Sequence, residues 1–330
     1  MEKNQRKLNK YKIQQMIVQF LPLVALVVLF LVFCAVVQTK GYRLDMYLKI
    51  VFNEGIVLAV VATGAIFIYS LGSFDISLGA ATLFSATMGV LNYNAFENVP
   101  LMIVVIGVSG IGCSLLSSIL ASIFHIPVFV ATVAMMSVLS AVSAQIITSR
   151  GGALGGISIP SNVLKSLDVP AFKIVTLAVF FLLCLYVFNF TKIGRREKFI
   201  GGNPVCAKLT GINYNKHAII GFCIAGLSVG LGAFLTLVYT PSVTATTASS
   251  LGMNILVAIV FGGMPISGGA DSKIFSAIIG GFSYILLDNA LELIFDSSSG
   301  YGITQIISAV FFLLVVYAAS MNYRTKTLPR

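Results

Sequence analysis

Residues 50–71 read IVFNEGIVLAVVATGAIFIYSL. One side chain in this run is charged, Glu54, and it lies near one end. A helix needs about 20 apolar residues to cross the hydrocarbon core of a bilayer, and this run has that length. A transmembrane β-strand would be about ten residues long and would alternate in polarity. The run is about twice that length and does not alternate, so it reads as a membrane helix.

Nine further apolar segments flank it, at about 17–38, 76–92, 100–122, 128–148, 172–190, 218–238, 250–264, 273–290 and 302–320. Those at 76–92 and 250–264 are short. They are expected to be tilted, broken or partly re-entrant, which is permitted where protein covers the backbone. The predicted fold class is all-α: a polytopic membrane helix bundle of about ten transmembrane helices, with both termini cytoplasmic. One transmembrane domain spans 1–330, with an N-terminal tail 1–16, a cytoplasmic loop 191–217 and a C-terminal tail 321–330.

Basic residues set the orientation. Fifteen of the 21 Lys and Arg residues fall in the two tails, in the 191–217 loop and at Lys273. The other six are Lys40, Arg43, Lys49, Arg150, Lys165 and Lys173. A first apolar run from Met16 to Val37 is too long for the core of a cleaved signal peptide. Two connections are long. The outer one, Ser149 to Ala171, contains Gly151, Gly152, Gly155, Gly156 and Pro160 and is expected to be irregular.

Composition agrees with a lipid environment. The chain is 58% hydrophobic and 10% charged, with a mean hydropathy of +0.98, whereas soluble domains carry about 25% charged residues. The net charge of +10 is spread over short loops with no basic stripe among aromatics, so no nucleic acid partner is expected. Cys34, Cys113, Cys184, Cys206 and Cys223 have no metal-like spacing, and no metal site is expected.

Inside the 191–217 loop lies Gly201-Gly202-Asn203-Pro204-Val205-Cys206-Ala207-Lys208-Leu209-Thr210-Gly211. Asn203 suits an N-cap, Pro204 the first helical position and Gly211 a C-terminal stop. The predicted helix is about seven residues long, too short to persist alone in water. Val205 and Leu209 share one face. Such a helix either packs on its own bundle at the membrane surface or docks a cytoplasmic partner.

Four stretches carry a resemblance to the permease subunits of ribose-type bacterial ABC sugar importers, a family that includes xylose, galactose and autoinducer-2 permeases. Ser70-Leu71-Gly72-Ser73-Phe74-Asp75-Ile76-Ser77-Leu78-Gly79 resembles its G-G-I-D-L-S-V-G element, and Ile126 to Thr132 its I-P-x-F-I-x-T element. The 201–211 loop is similar to its G-x-N-x-x-A-A-x-x-x-G loop, and Phe261 to Gly269 to its L-G-G-x-S-x-x-G-G element. Order and spacing agree from about 50 to 320. Cys206 stands where the family usually has alanine, and Pro265 where it often has serine.

The resemblance implies a permease subunit in the bacterial cytoplasmic (inner) membrane. Its partners would be a second permease subunit, an ABC nucleotide-binding subunit and an extracytoplasmic solute-binding protein. This chain would bind no cofactor; ATP and Mg would sit on the partner subunit. Asn203, Pro204, Val205, Ala207, Lys208, Leu209 and Gly211 would couple to the ATPase, and force would pass into the flanking spans 172–190 and 218–238. Asp75, Gly79, Gly262, Gly263, Gly268 and Gly269 would form a structural or gating motif.

The chain lacks G-x-x-x-x-G-K-[ST], so the 262–269 glycines are no P-loop. Its two histidines, His125 and His217, have no nucleophile beside them, and no enzymatic activity is expected. Gly226, Gly230 and Gly232 are read as points of close helix approach. Candidate pathway amides are Asn53, Gln145, Asn254, Asn289 and Gln305, with Tyr69 and Tyr284 as candidate aromatics; helix–helix hydrogen bonding is the other reading of each. Asp75 either caps the third helix or gates. An ion-coupled secondary carrier is the alternative function, with Asp75, Asp288 or Glu292 as a proton site.

Overall fold

The structure is a computed structural model and describes residues 2–151, 155–265 and 267–295, with positions 306, 307, 309, 310 and 313; side chains are described from Phe20 onward. The predicted tenth segment, 302–320, and the tail 321–330 lie outside the described residues apart from those five positions.

Eleven α-helices are described: α1 (Glu2–Thr39), α2 (Leu44–Ser70), α3 (Leu78–Phe96), α4 (Val99–Phe124), α5 (Val128–Arg150), α6 (Pro170–Phe190), α7 (Lys192–Gly202), α8 (Pro204–Leu209), α9 (Tyr214–Tyr239), α10 (Leu251–Phe261) and α11 (Phe275–Ile294). Seven are long and apolar enough to cross a membrane: α2, α4, α5, α6, α9 and α11 over their whole length, and α1 from Phe20 to Thr39. The bundle is therefore all-α and polytopic in its spanning part. Among the described residues the departure is a ribbon of two three-residue strands, β1 (Gly156–Ser158) and β2 (Ser242–Thr244), paired antiparallel with Ile157 opposite Val243. It joins the irregular connection after α5 to the chain leaving α9.

The two short segments diverge. The predicted 76–92 run is α3, a 19-residue helix sunk among α4, α5 and α9. The predicted 250–264 run is α10, of 11 residues. At 1.5 Å per residue it is about 16 Å long, roughly half the hydrocarbon thickness.

Helix α2 is the centre. Every side chain from Gly55 to Ser70 is buried, against α9, α11, α6 and α10. Helix α9 is its neighbour on one side and meets α4 on the other. Small residues permit the approach: a Cβ on Gly110 of α4 would lie 2.7 Å from the backbone at both Gly226 and Gly230 of α9. A Cβ on Gly232 would instead strike Val61 of α2, so the three glycines serve two faces of α9. The Ser228 hydroxyl donates to the Val61 carbonyl at 3.3 Å. By contrast, α1, α4, α5 and α6 turn outward large apolar side chains such as Leu31, Val108, Val138 and Leu182, as expected of helices that face lipid.

Candidate functional site at the α8 end of the bundle

Thr191 ends α6 and opens α7, its hydroxyl accepting from the Ile193 amide at 3.2 Å. Sequence reading missed α7. Its buried face is Gly194, Glu197 and Ile200, three apart on one side, and only Ile200 is an apolar signal. The Thr191 cap before a helix-compatible stretch is the cue that could have found it.

Asn203 interrupts the chain in an extended conformation and caps α8, its Oδ1 accepting from the Cys206 amide at 3.0 Å. Pro204 takes the first position. Gly211, at φ +78°, closes the helix in the left-handed region that favours glycine; its amide donates to the Lys208 carbonyl at 3.1 Å, and that of Ile212 to the Ala207 carbonyl at 3.0 Å. The helix predicted over this stretch is thus present, one residue shorter than expected. Ala207 is its buried anchor, 2% exposed, packed with Leu71, Ile200 and Ala218. Val205 and Leu209 stand 67% and 83% exposed on the other face. Lys208 is exposed as well.

Behind α7 and α8 three glycine-containing turns meet. A Cβ on Gly201 would be driven into the Ser70 carbonyl and would lie 2.8 Å from the Gly269 amide nitrogen. The Gly269 amide donates to that Ser70 carbonyl at 3.0 Å. Gly268 and Gly269 have φ of +66° and +87°, which lets the turn lie flat on Ser70–Gly72. Gly262 abuts Ser276 at the start of α11, and Gly263 lies against Pro22 of α1. The predicted motif glycines 262, 263, 268 and 269 therefore tie the ends of α2, α7, α10 and α11 together, and Gly79 lies apart from them. A Cβ there would lie 2.7 Å from the Gly252 nitrogen, where the starts of α3 and α10 cross.

Asp75 is fully buried. Its Oδ1 accepts from the Ser77 amide at 2.8 Å and from the Ser77 hydroxyl at 2.6 Å, shaping the turn into α3. Its Oδ2 has no hydrogen-bond partner among the described residues. Glu197 is also fully buried, and neither carboxylate oxygen has a partner among the described residues. Burial holds the Glu197 carboxyl well above its ordinary value of 4.5, and the neighbouring Lys198 only partly opposes this. Lys198 does not reach it: its Nζ donates to Asn189 Oδ1 at 3.0 Å and lies 4.1 Å from the Phe188 ring centroid.

The predicted pathway amides are scattered. Asn53 lies at the opposite end of the bundle, where its Oδ1 accepts from Lys173 Nζ at 2.6 Å. Asn289 donates to Glu54 Oε2 at 2.9 Å and to the Ile285 carbonyl at 3.1 Å. Both bond between or within helices. Gln145 is exposed on α5. Asn254 lies at the start of α10, accepting from the Tyr284 hydroxyl at 2.9 Å. Tyr69 is buried and donates weakly to the Asp75 carbonyl at 3.5 Å. Gln305 lies outside the described residues.

Residues 47–320 match the model of a family described as the branched-chain amino acid transport system permease component. The chain belongs to this permease family. Over 97% of its length the permease is 25% identical to the ribose import permease protein RbsC of Haemophilus influenzae, covering 98% of that relative. It is 24% identical to RbsC of Escherichia coli strain K12 over 78% of this chain and 80% of the relative. To the fructose import permease protein FrcC of Rhizobium meliloti it is 23% identical, over 79% and 75%. No solved structure matches the permease. The resemblance to ribose-type import permeases is thus borne out, and the chain is a multi-pass membrane permease subunit.

Proposed function

We propose that this permease forms the translocation pathway of an ATP-binding-cassette importer for a sugar or similar small polar solute, in the bacterial cytoplasmic membrane. Relatives named as ribose and fructose import permeases support the solute class. The carrying observation is α8: a capped six-residue helix that buries Ala207 and exposes Val205 and Leu209. Ala207 already docks this short helix on its own bundle, and the apolar side chains left exposed on its other face favour burial against a partner. That partner is an ATPase subunit, which carries the ATP and Mg.

In this reading the α8 end is cytoplasmic, the chain crosses the bilayer about ten times with both termini inside, and 1–16, 191–217 and 321–330 lie on that side. The Lys and Arg bias supports this orientation. A second permease subunit completes the pathway and an extracytoplasmic binding protein delivers solute. Nucleotide-driven movement of the ATPase would enter through α8 and reach α6 and α9, as the loop connectivity implies. It has a further route through Gly201 into the end of α2 and the 262–269 turn, as a bistable rigid-element switch. The ion-coupled alternative gains nothing from the relatives.

Val205→Asp and Leu209→Asp each test the docking. Both should abolish co-purification with the ATPase subunit and ATP-dependent uptake while leaving the permease folded, because the side chains are exposed. Unchanged co-purification would overturn the reading of α8.

A further inference from the structure

The chain between α9 and α10 holds a surface that the pathway candidates touched only at Asn254. Residues 240–254 read TPSVTATTASSLGMN and contain no charged side chain. Thr246, Ser249 and Ser250 are exposed, and Asn254 is half-buried beside them. Asn254 Nδ2 donates to Ser250 Oγ at 3.3 Å while its Oδ1 accepts from Tyr284.

The depth of this turn follows from its neighbours. Helix α10 ends at the α8 end of the bundle, where Gly262 abuts Ser276 at the start of α11. Its first turn is tied to Tyr284, half-way along α11. Its second residue, Gly252, is pressed onto the Ile76 carbonyl just before α3. The polar turn at 245–250 therefore lies about half a span from that end, beside helices that cross fully. Irregular backbone and exposed hydroxyls at that depth are not tolerated against lipid tails; they occur where they line water or are covered by protein.

We infer that Thr246, Ser249, Ser250 and Asn254 form the wall of the solute path, facing water and the second permease subunit, and that they suit an uncharged, hydroxyl-rich solute. The inference rests on the importer reading above and adds to it the surface that meets the solute. Hydroxyls and one amide can exchange hydrogen bonds with such a solute as it passes, and the wall offers no fixed charge to trap an ion. The buried carboxyl of Asp75, behind the Ile76 carbonyl, does not reach this face.

The test is thiol accessibility in the full chain, assembled with its ATPase subunit in lipid vesicles. Thr246→Cys and Ser250→Cys are near-isosteric and are compared with Val179→Cys on the outer face of α6; the parent chain supplies the background of the five native cysteines. The probe is a quaternary-ammonium methanethiosulfonate, which needs hydrated thiolate. Both wall thiols should react at least about tenfold faster than that at position 179. Trapping the ATPase with ATP and orthovanadate should then change their rates about threefold or more, because a path wall changes access with the transport cycle. Rates as slow as at position 179 would overturn the inference, as would fast rates unaffected by nucleotide, the behaviour of a fixed solvent loop. Failure to assemble with an ATPase at all would appear in co-purification of the parent chain, and would count against the importer reading instead.

Discussion

At one end of the bundle the buried cation Lys173, 3% exposed, has partners on three elements. It is ion-paired to Asp168, donates to Asn53 Oδ1 on α2, and lies 5.8 Å from the centroid of the Tyr239 ring on α9. Lys49 Nζ stands 3.7 Å from the other oxygen of Asp168. At the α8 end the buried carboxyl of Glu197 has no such company among the described residues, and the surrounding cohesion is backbone on backbone through Gly201, Gly268 and Gly269. One end is pinned by a paired charge that favours a single arrangement. The other is held by close packing around an acid whose carboxyl pKa burial pushes up, and it leaves the apolar side chains of Val205 and Leu209 exposed. A permease that must be moved from one side is expected to be built in this way, rigid where nothing pushes and adjustable where something does.

The largest effect should come from unpairing the rigid end. Asp168→Ala leaves the Lys173 ammonium buried without its counter-ion, a loss of about 3–5 kcal/mol, read as a lowered unfolding midpoint of the purified permease in detergent. The double variant Asp168→Ala with Lys173→Met should recover most of it, because replacing a whole buried pair by apolar groups is often neutral. A single variant as stable as the parent would remove the contrast between the two ends.

Next is the packed end. Gly201→Ala must push Ser70 and Gly269 apart, an overpacking cost of about 1–3 kcal/mol. The same variant should weaken coupling of ATP hydrolysis to uptake more than it weakens binding of the ATPase, since Val205 and Leu209 are untouched. Equal loss of both would place Gly201 in the docking surface instead.

Glu197 gives a smaller, pH-dependent effect. Its folded pKa is raised above the ordinary 4.5, so between those two values the folded chain holds a proton that the unfolded chain has released. Stability therefore falls as pH rises above about 4.5, at up to about 1.4 kcal/mol per pH unit, and levels off above the folded value. Glu197→Gln should remove that slope and make the permease more stable than the parent at pH 8. Thermal unfolding at pH 5 and pH 8 checks it; a parental slope in the variant would mean that another group titrates.

Much of this was legible in the sequence because lipid imposes simple rules. Length and polarity alone located α2, α4, α5, α6, α9 and α11, and the Asn203, Pro204 and Gly211 signals located α8. What escaped depends on partners remote in sequence. Lys173 reads as an outward basic residue at the start of a span and is buried, because Asn53 of α2 and Tyr239 of α9 come to it beside the nearby Asp168. Helix α7 has a buried face of glycine, glutamate and isoleucine, which carries no apolar periodicity. The amides Asn53 and Asn289 are of the right type for a pathway, yet each is taken up by a neighbouring side chain. The hydroxyl-rich turn after α9 looks like an ordinary loop until the half-length of α10 places it deep in the bundle.

The smallest effect sharpens the comparison most, because it uses the neighbouring residue. Gly202 is the last residue of α7, and a Cβ there would meet nothing within 4 Å. Gly202→Ala should therefore be tolerated and even gain a few tenths of a kcal/mol, since alanine restricts the unfolded chain and favours the helix. The two substitutions change the same atoms in consecutive residues and differ only in what the new methyl faces. If Gly201→Ala lowers the unfolding midpoint and Gly202→Ala does not, the cost lies in the contact with Ser70 and Gly269 and not in the loss of glycine from the end of α7. Equal destabilisation would make this junction a general requirement for flexibility, and the route from α8 into α2 would lose its structural basis.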